Sequence, residues 1–177
     1  METLNTWQRS TLTPSLVKPI PWMHPAAVCY LESLLRPDWH VLEHGSGGST
    51  LWLAERVAHV TSVEDRMEWY QYIAHHNERG NIDMYYSPDG CKIPHIEKVD
   101  LLLIDGHPAE ARAHWLLYAR RITKPGGVVV LDNSNETYSL TPRWDLERWS
   151  SHAVTIHPHS TQRALDTTFY FMKGNHD

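Results

Sequence analysis

The chain has 177 residues, 41% of them hydrophobic, which suffices for one domain with its own core. With 16 Lys and Arg against 21 Asp and Glu, the formal net charge is −5, so general nucleic-acid binding is disfavoured for want of a basic footprint. Two cysteines, Cys29 and Cys91, make neither a disulfide framework nor a metal-ligand pair, and no apolar run approaches membrane-spanning length. These features set the expectation of a cytoplasmic protein with neither a membrane span nor a secretory leader.

Residues 1–24 contain Pro14, Pro19 and Pro21, which discourage regular structure, with Trp7, Trp22 and Met23 as apolar anchors. This arm reads either as a tail wrapped on the surface or as a lid over a pocket, and residues 25–177 read as a single domain. Pro25 suits the first turn of a helix with Val28, Leu31 and Leu35 on one face, ended by Pro37. Val41 and Leu42 begin a short strand that ends in Glu43 and is followed by Gly45, Gly47 and Gly48. Ser49 and Thr50 stand where a helix would start, and Leu51, Leu53, Ala54 and Val57 continue at helical spacing. Residues 59–63 form a second apolar run, closing on Glu64 and Asp65.

A helix is expected over 66–77, burying Trp69, Tyr70, Ile73 and Ala74, with Gly80 as its left-handed cap. Residues 82–86 read as a third strand. Residues 87–98, interrupted by Pro88, Gly90 and Pro94, are too short and broken for a full crossover helix, so the fold is expected to be trimmed between its third and fourth strands. The run VDLLLI over 99–104 is apolar throughout, the mark of a strand covered on both faces, and ends in Asp105-Gly106-His107-Pro108. Residues 109–122 are helical, 124–127 are a break, and 127–131 form a fifth buried strand ending in Asp132-Asn133. A short helix over 142–149, capped by Thr141, precedes two alternating segments, 153–157 and 167–173, which read as an antiparallel pair. The alternation implies an α/β fold, a single doubly wound and mostly parallel sheet with that C-terminal pair added. Right-handed crossovers then put the carboxyl ends of strands one, two, four and five along one edge, where such sheets bind ligands. Glu43, Glu64, Asp105, Asp132 and Asn133 all fall there.

Glycines after the first strand let backbone approach a ligand closely, and an acid after the second accepts hydrogen bonds from both ribose hydroxyls. The interval from Glu43 to Glu64 is close to the roughly 20 residues expected of such a unit. A dinucleotide site would carry a third glycine and no acid at Glu43, which repels phosphate but suits a cation. An NAD-dependent oxidoreductase is accordingly the weaker alternative.

The string from Glu43 to Thr50, E-x-G-x-G-x-S-T, resembles the first motif of class I (Rossmann-like) S-adenosylmethionine-dependent methyltransferases, and Glu64 falls on their ribose-binding acid. The resemblance runs over about residues 25–173. It implies S-adenosylmethionine as cofactor, held by Glu43, Gly45, Ser46, Gly47, Ser49, Thr50, Glu64 and Asp65, with Asp105 also close to it. Asp89 is placed either to contact adenine or simply to close a Pro-Asp-Gly turn.

Asp105, Asp132 and Asn133 add a partial resemblance to cation-dependent O-methyltransferases of the catechol and macrocin types, where an Asp after the fourth strand and an Asp-Asn pair after the fifth hold Mg²⁺. That implies Mg²⁺-assisted methylation of a hydroxylated small molecule, with Asp105, Asp132 and Asn133 as metal ligands. The chain departs from those enzymes in its shorter glycine turn and in having Pro108 where they carry a lysine base. His107 is the candidate general base in its place, or else only a helix-start residue, and the acids are then structural or ammonium-binding. Arg112, one turn into the next helix, is positioned to steady the Asp105 loop. A D/N-P-P-Y/F motif and a Pro-Cys nucleophile are both missing, which disfavours base-directed DNA methylation. A module that binds the cofactor without transferring methyl stays open, as does an oligomeric state.

Overall fold

The computed structural model describes residues 19–135, 146–157 and 165–174. Residues 1–18 of the N-terminal arm and the expected cap at Thr141 lie outside the described residues. The elements in chain order are α1 (Pro25–Leu34), β1 (His40–His44), α2 (Gly48–Ala54), β2 (His59–Glu64), α3 (Met67–His75), β3 (Ile82–Tyr86), β4 (Val99–Ile104), α4 (Ala109–Ile122), β5 (Thr123–Asp132), β6 (Ser150–Ile156) and β7 (Thr167–Met172). A helical turn over 146–149 leads into β6.

The strands form one sheet of order β3-β2-β1-β4-β5-β7-β6. The first five in that order pair in parallel, and β7 enters antiparallel between β5 and β6. The chain order reverses between β1 and β4, so the loops after these two strands diverge and leave a crevice at the carboxyl edge.

Residue parity within the strands sorts two apolar layers. Val41, Val60, Leu101, Leu103, Val128 and Val130 face α1, α2 and α3, packing on Ala27, Leu31, Trp52, Leu53 and Ile73. Leu42, Val63, Leu102, Ile104, Val129 and Leu131 face the other way, onto Trp115, Leu116 and Ala119 of α4. Both faces of β4 are thus covered, as its unbroken apolar run requires. No helix links β3 to β4. Ile93 and Ile96 of that connection are partly buried against the second layer, where a crossover helix would otherwise lie.

Two expectations need correction. In α3 only Ile73 is buried; Trp69 and Tyr70 are half-buried and Ala74 is exposed. The break expected at 124–127 lies inside β5, whose first residue Thr123 pairs with Val99 before the register shifts and resumes at Leu101–Val128. Gly126, at φ +77°, takes the left-handed conformation within that shift.

Candidate active site

The turn after β1 is built around a close backbone crossing. Gly45 has φ +96°, and a Cβ added there would lie 2.4 Å from Gly106 Cα, so the loops after β1 and β4 touch through glycine alone. Gly106 is equally constrained from behind, since a Cβ on it would lie 2.7 Å from His44 Nε2. His44 itself stacks on Trp115 with ring centroids 4.9 Å apart, and burial pushes its imidazole down to about 3, so it is neutral packing.

Glu43 points to the α2 side of the sheet and is fully buried. Its carboxylate accepts hydrogen bonds from the hydroxyls of Ser49 and Thr50, and from that of Ser62 at 2.7 Å. The Gly47 amide donates to Thr50 Oγ1 at 2.9 Å, and Ser46 Oγ meets Ser62 Oγ at 2.7 Å, so one acid organises the whole turn. Burial pushes Glu43 up to about 7, and the three hydroxyls act against that shift.

Glu64, at the end of β2, accepts from the Ser46 amide at 2.7 Å and the Arg66 amide at 2.9 Å. Burial raises it to about 8, against the pull of those two amides and with the Asp65 charge adding to the rise. Asp65 and Arg66 begin the connection into α3.

The ends of β4 and β5 are joined by the buried Arg112 of α4. Its Nε donates to Gly106 O at 2.9 Å, Nη1 to Asp132 O at 2.9 Å, and Nη2 to Asp105 O at 2.6 Å and Asp105 Oδ1 at 3.1 Å. Asp132 Oδ1 accepts from Thr167 Oγ1 at 2.6 Å. In the amide orientation that satisfies both its groups, Asn133 donates to Asp132 Oδ2 at 3.0 Å and accepts from Arg112 Nη1 at 3.2 Å. Burial and the facing Asp132 carboxyl push Asp105 well above the usual carboxylate range, with Arg112 opposing; burial raises Asp132 too. His107 is exposed, and partial desolvation with the charges of Arg112 and Arg66 lowers its imidazole, which favours the neutral form near pH 7.

These groups enclose a cavity of about 380 Å³. The turn after β1 contributes Gly45 to Ser49, the end of β2 contributes Glu64 and Asp65, and the β4 and β5 ends contribute Asp105, Gly106, His107, Arg112, Asp132 and Asn133. Trp22, Arg66, Trp69 and Leu165 complete it. Glu43 and Thr50, expected to touch a cofactor, and Asp89, read as either an adenine contact or a turn residue, do not line it. The first two are consumed in holding the turn. Asp89 closes the Pro-Asp-Gly turn, its Oδ1 accepting from Ser87 Oγ at 2.8 Å and from the Cys91 amide at 3.0 Å. Arg66 and Leu165 are lining residues that sequence reasoning did not single out, while Trp22 was named only as an anchor of the N-terminal arm and Trp69 only as a buried helix residue. For Trp69 the helical spacing was a signal, but one that does not separate a core face from a cavity face.

The acids Glu64, Asp65, Asp105 and Asp132 outnumber the cations Arg66 and Arg112 around this space. Burial raises Glu64, Asp105 and Asp132, so a ligand carrying ammonium and sulfonium charge would favour their ionised forms, whereas a pyrophosphate would oppose ionisation. A divalent metal fits this wall poorly. Among the described residues no three His, Cys, Asp or Glu side chains gather to hold an ion, and the Asp105 and Asp132 oxygens already engage Arg112, Thr167 and Asn133.

A glycine turn on a parallel sheet, an acid at the end of β2 and an acid-lined crevice at the β1/β4 switch define a nucleoside-binding α/β domain of the Rossmann-like class. Residues 42–134, just over half of the chain, match the family described as Methyltransferase domain, and the chain belongs to that family. It is a class I S-adenosylmethionine-dependent methyltransferase. The fold is similar to that of an O-methyltransferase from Bacillus cereus solved in complex with SAH, at 18% identity and a TM-score of 0.66, covering 93% of this chain and 90% of that one. It is similar as well to the N-methyltransferase NodS from Bradyrhizobium japonicum, at 14% identity and a TM-score of 0.64, covering 85% and 94%. An rRNA methylase from Streptococcus thermophilus also resembles it, at 11% identity and a TM-score of 0.65, covering 88% and 99%. No curated protein sequence matches the chain. Among the described residues no helix is long and apolar enough to cross a membrane.

Proposed function

We propose that the protein transfers the methyl group of S-adenosylmethionine to a hydroxyl of a small-molecule acceptor. The observation that carries this reading is one cavity of about 380 Å³ joining the Gly45–Ser49 turn and Glu64 to Asp105, His107 and Asp132. When bound, the cofactor supplies an electrophilic methyl on a positively charged sulfur. Backbone of the Gly45–Ser49 turn holds the methionine part, and Glu64, with Asp65 beside it, receives the ribose hydroxyls. Glu43 and Thr50 act through the turn, which they keep in shape. Asp105, Asp132 and Asn133 face the acceptor, where acid-lined walls favour the sulfonium over an anionic competitor.

As the acceptor oxygen forms its bond to the methyl carbon, the carbon–sulfur bond breaks and its electron pair stays on sulfur. The hydroxyl proton leaves to His107, whose imidazole is exposed to the cavity and favours the neutral, proton-accepting form near pH 7. Positioning in line with the sulfur–carbon bond supplies much of the remaining rate. This proton transfer needs no Mg²⁺, and the carboxylates expected to bind one are already engaged, Asp105 by Arg112 and Asp132 by Thr167 and Asn133. The net charge of −5 supports a small acceptor over a polyanion.

The reading is tested by methyl transfer from S-adenosylmethionine to a panel of phenols, catechols, aliphatic alcohols, amines and ribosomal RNA fragments. Turnover confined to hydroxyl compounds and reduced at least tenfold in His107→Gln supports it. Transfer to amines or RNA alone, or binding of S-adenosylhomocysteine with no turnover of any acceptor, overturns it.

A further inference from the structure

Arg112 is nearly inaccessible, its side chain 3% exposed, although it borders the cavity. Its donors are spent on the carbonyls of Asp105, Gly106 and Asp132 and on the Asp105 carboxylate. The Asp105 and Gly106 carbonyls lie just past β4, beyond its last pairing with β5 at Ile104 and Leu131, and the Asp132 carbonyl belongs to the last residue of β5. Burying a guanidinium is costly unless its donors are used, and here the fork meets three carbonyls and a carboxylate.

Two carboxylates, Asp105 and Asp132, converge beside it. Close acids of this kind need a cation between them or must share a proton. In a metal centre the cation would be Mg²⁺, which demands near-octahedral oxygen ligands with free lone pairs. Both Asp132 oxygens are already engaged: Oδ1 takes the Thr167 hydroxyl and Oδ2 the Asn133 amide, while the Asn133 oxygen takes Arg112. An ion captured here would compete with these hydrogen bonds and with the charge of Arg112, which already pairs with Asp105.

We infer that Arg112 is a built-in cation, a positioning residue that fixes Asp105 and Asp132 at the acceptor end of the cavity in the role a divalent metal fills elsewhere. This rests on the reading of those acids as facing the acceptor, but its first test needs no acceptor. Mn²⁺ is titrated into the intact protein and followed by electron paramagnetic resonance, for the wild type, Arg112→Met, Arg112→Lys and Asp132→Asn. The wild type is expected to show no saturable site at millimolar Mn²⁺, and Arg112→Met to gain one, because two acids then lack their cation. Arg112→Lys, which keeps the charge, should not gain it. With an acceptor in hand, kcat of the wild type should be indifferent to a chelator, while Arg112→Met lowers kcat at least tenfold and moves S-adenosylhomocysteine affinity less than threefold.

One Mn²⁺ bound by the wild type and lost in Asp132→Asn overturns the inference, a result obtained even if Arg112→Met does not fold. A folded Arg112→Met that binds no Mn²⁺ overturns it as well. Failure of the hydroxyl-methylation reading would show instead as a changed acceptor profile with the metal titrations unaltered.

Discussion

The amide of Ser46 donates to Glu64 Oε2 at 2.7 Å, tying the glycine turn after β1 to the acid that ends β2. With the Arg66 amide on Oε1 at 2.9 Å, one carboxylate sets the distance between the two parts of the cavity expected to hold the methionine and ribose ends of the ligand. Glu64→Ala removes both the proposed ribose contact and this tie. Two hydrogen bonds to a charged group at about 1.5–3 kcal/mol each predict at least a hundredfold loss of affinity for S-adenosylhomocysteine. Calorimetric titration measures it, and an affinity within threefold of the wild type would remove Glu64 from the site.

The same residue predicts a pH dependence. Ribose hydroxyls donate best to an ionised carboxylate, whereas in the free protein Glu64 is raised to about 8 by burial. Ligand binding therefore releases a proton below that value, so affinity should rise with pH up to about 8, by at most roughly tenfold per unit, and level off above it. Glu64→Gln, which cannot ionise, should flatten the profile between pH 6 and 9. A wild-type profile that is flat, or that falls with pH, contradicts this assignment.

The ligand-facing edge was legible because its signals are local. An acid or a glycine where an apolar strand stops is visible in a string of a dozen residues, and so Gly45, Glu64, Asp105 and Asp132 were placed at the cavity from sequence. The roles of Glu43 and Asp89 were not, because they depend on partners. Glu43 looks like a ligand-facing acid until Ser62, from β2, and the Ser49 and Thr50 hydroxyls close over it. For Asp89 the choice between turn and adenine contact turns on whether Ser87 and Cys91 claim Oδ1, which spacing does not encode. Arg112 was read only as a brace for the Asp105 loop. Its reach to Asp132 requires β4 and β5 to be neighbours, a fact of topology and not of the local string. Trp69 was assigned to the core because a helix face facing a cavity and one facing a core share the same period.

Glu43 should matter to stability more than to ligand contact. Glu43→Ala strands three hydroxyls around an emptied space and is predicted to cost roughly 3–5 kcal/mol, read as a drop in thermal midpoint. Glu43→Gln keeps the shape and imitates the protonated acid. Because burial raises Glu43 to about 7, its protonated form is the one the fold prefers; the stability this adds is complete below about pH 4.5 and is lost as pH rises to 7. The wild type should accordingly be favoured over Glu43→Gln most at pH 5, the difference shrinking by on the order of 2 kcal/mol by pH 7. Denaturant melts of both proteins across that range measure it, and a gap that widens with pH would mean that the three hydroxyls hold the ionised form.

Gly45 and Gly47 are two residues apart and should fail differently. At Gly45 the positive φ and a Cβ only 2.4 Å from Gly106 Cα leave no room on the backbone side, so Gly45→Ala should force the β1 and β4 loops apart and destabilise by at least about 2 kcal/mol. Gly47 has φ 177°, an extended conformation open to any residue, and a Cβ there meets nothing within 4 Å. Gly47→Ala should then melt within about 2 °C of the wild type, a stability change of less than roughly 0.5 kcal/mol. The space its methyl enters belongs to the cavity, so if ligand backbone contact is the reason for a glycine there, S-adenosylhomocysteine should bind about tenfold more weakly, a loss of about 1.4 kcal/mol. A Gly47→Ala protein that binds with full affinity would mean that the ligand does not approach the turn at this residue, and the methionine end would have to be placed nearer Gly45 and Ser46.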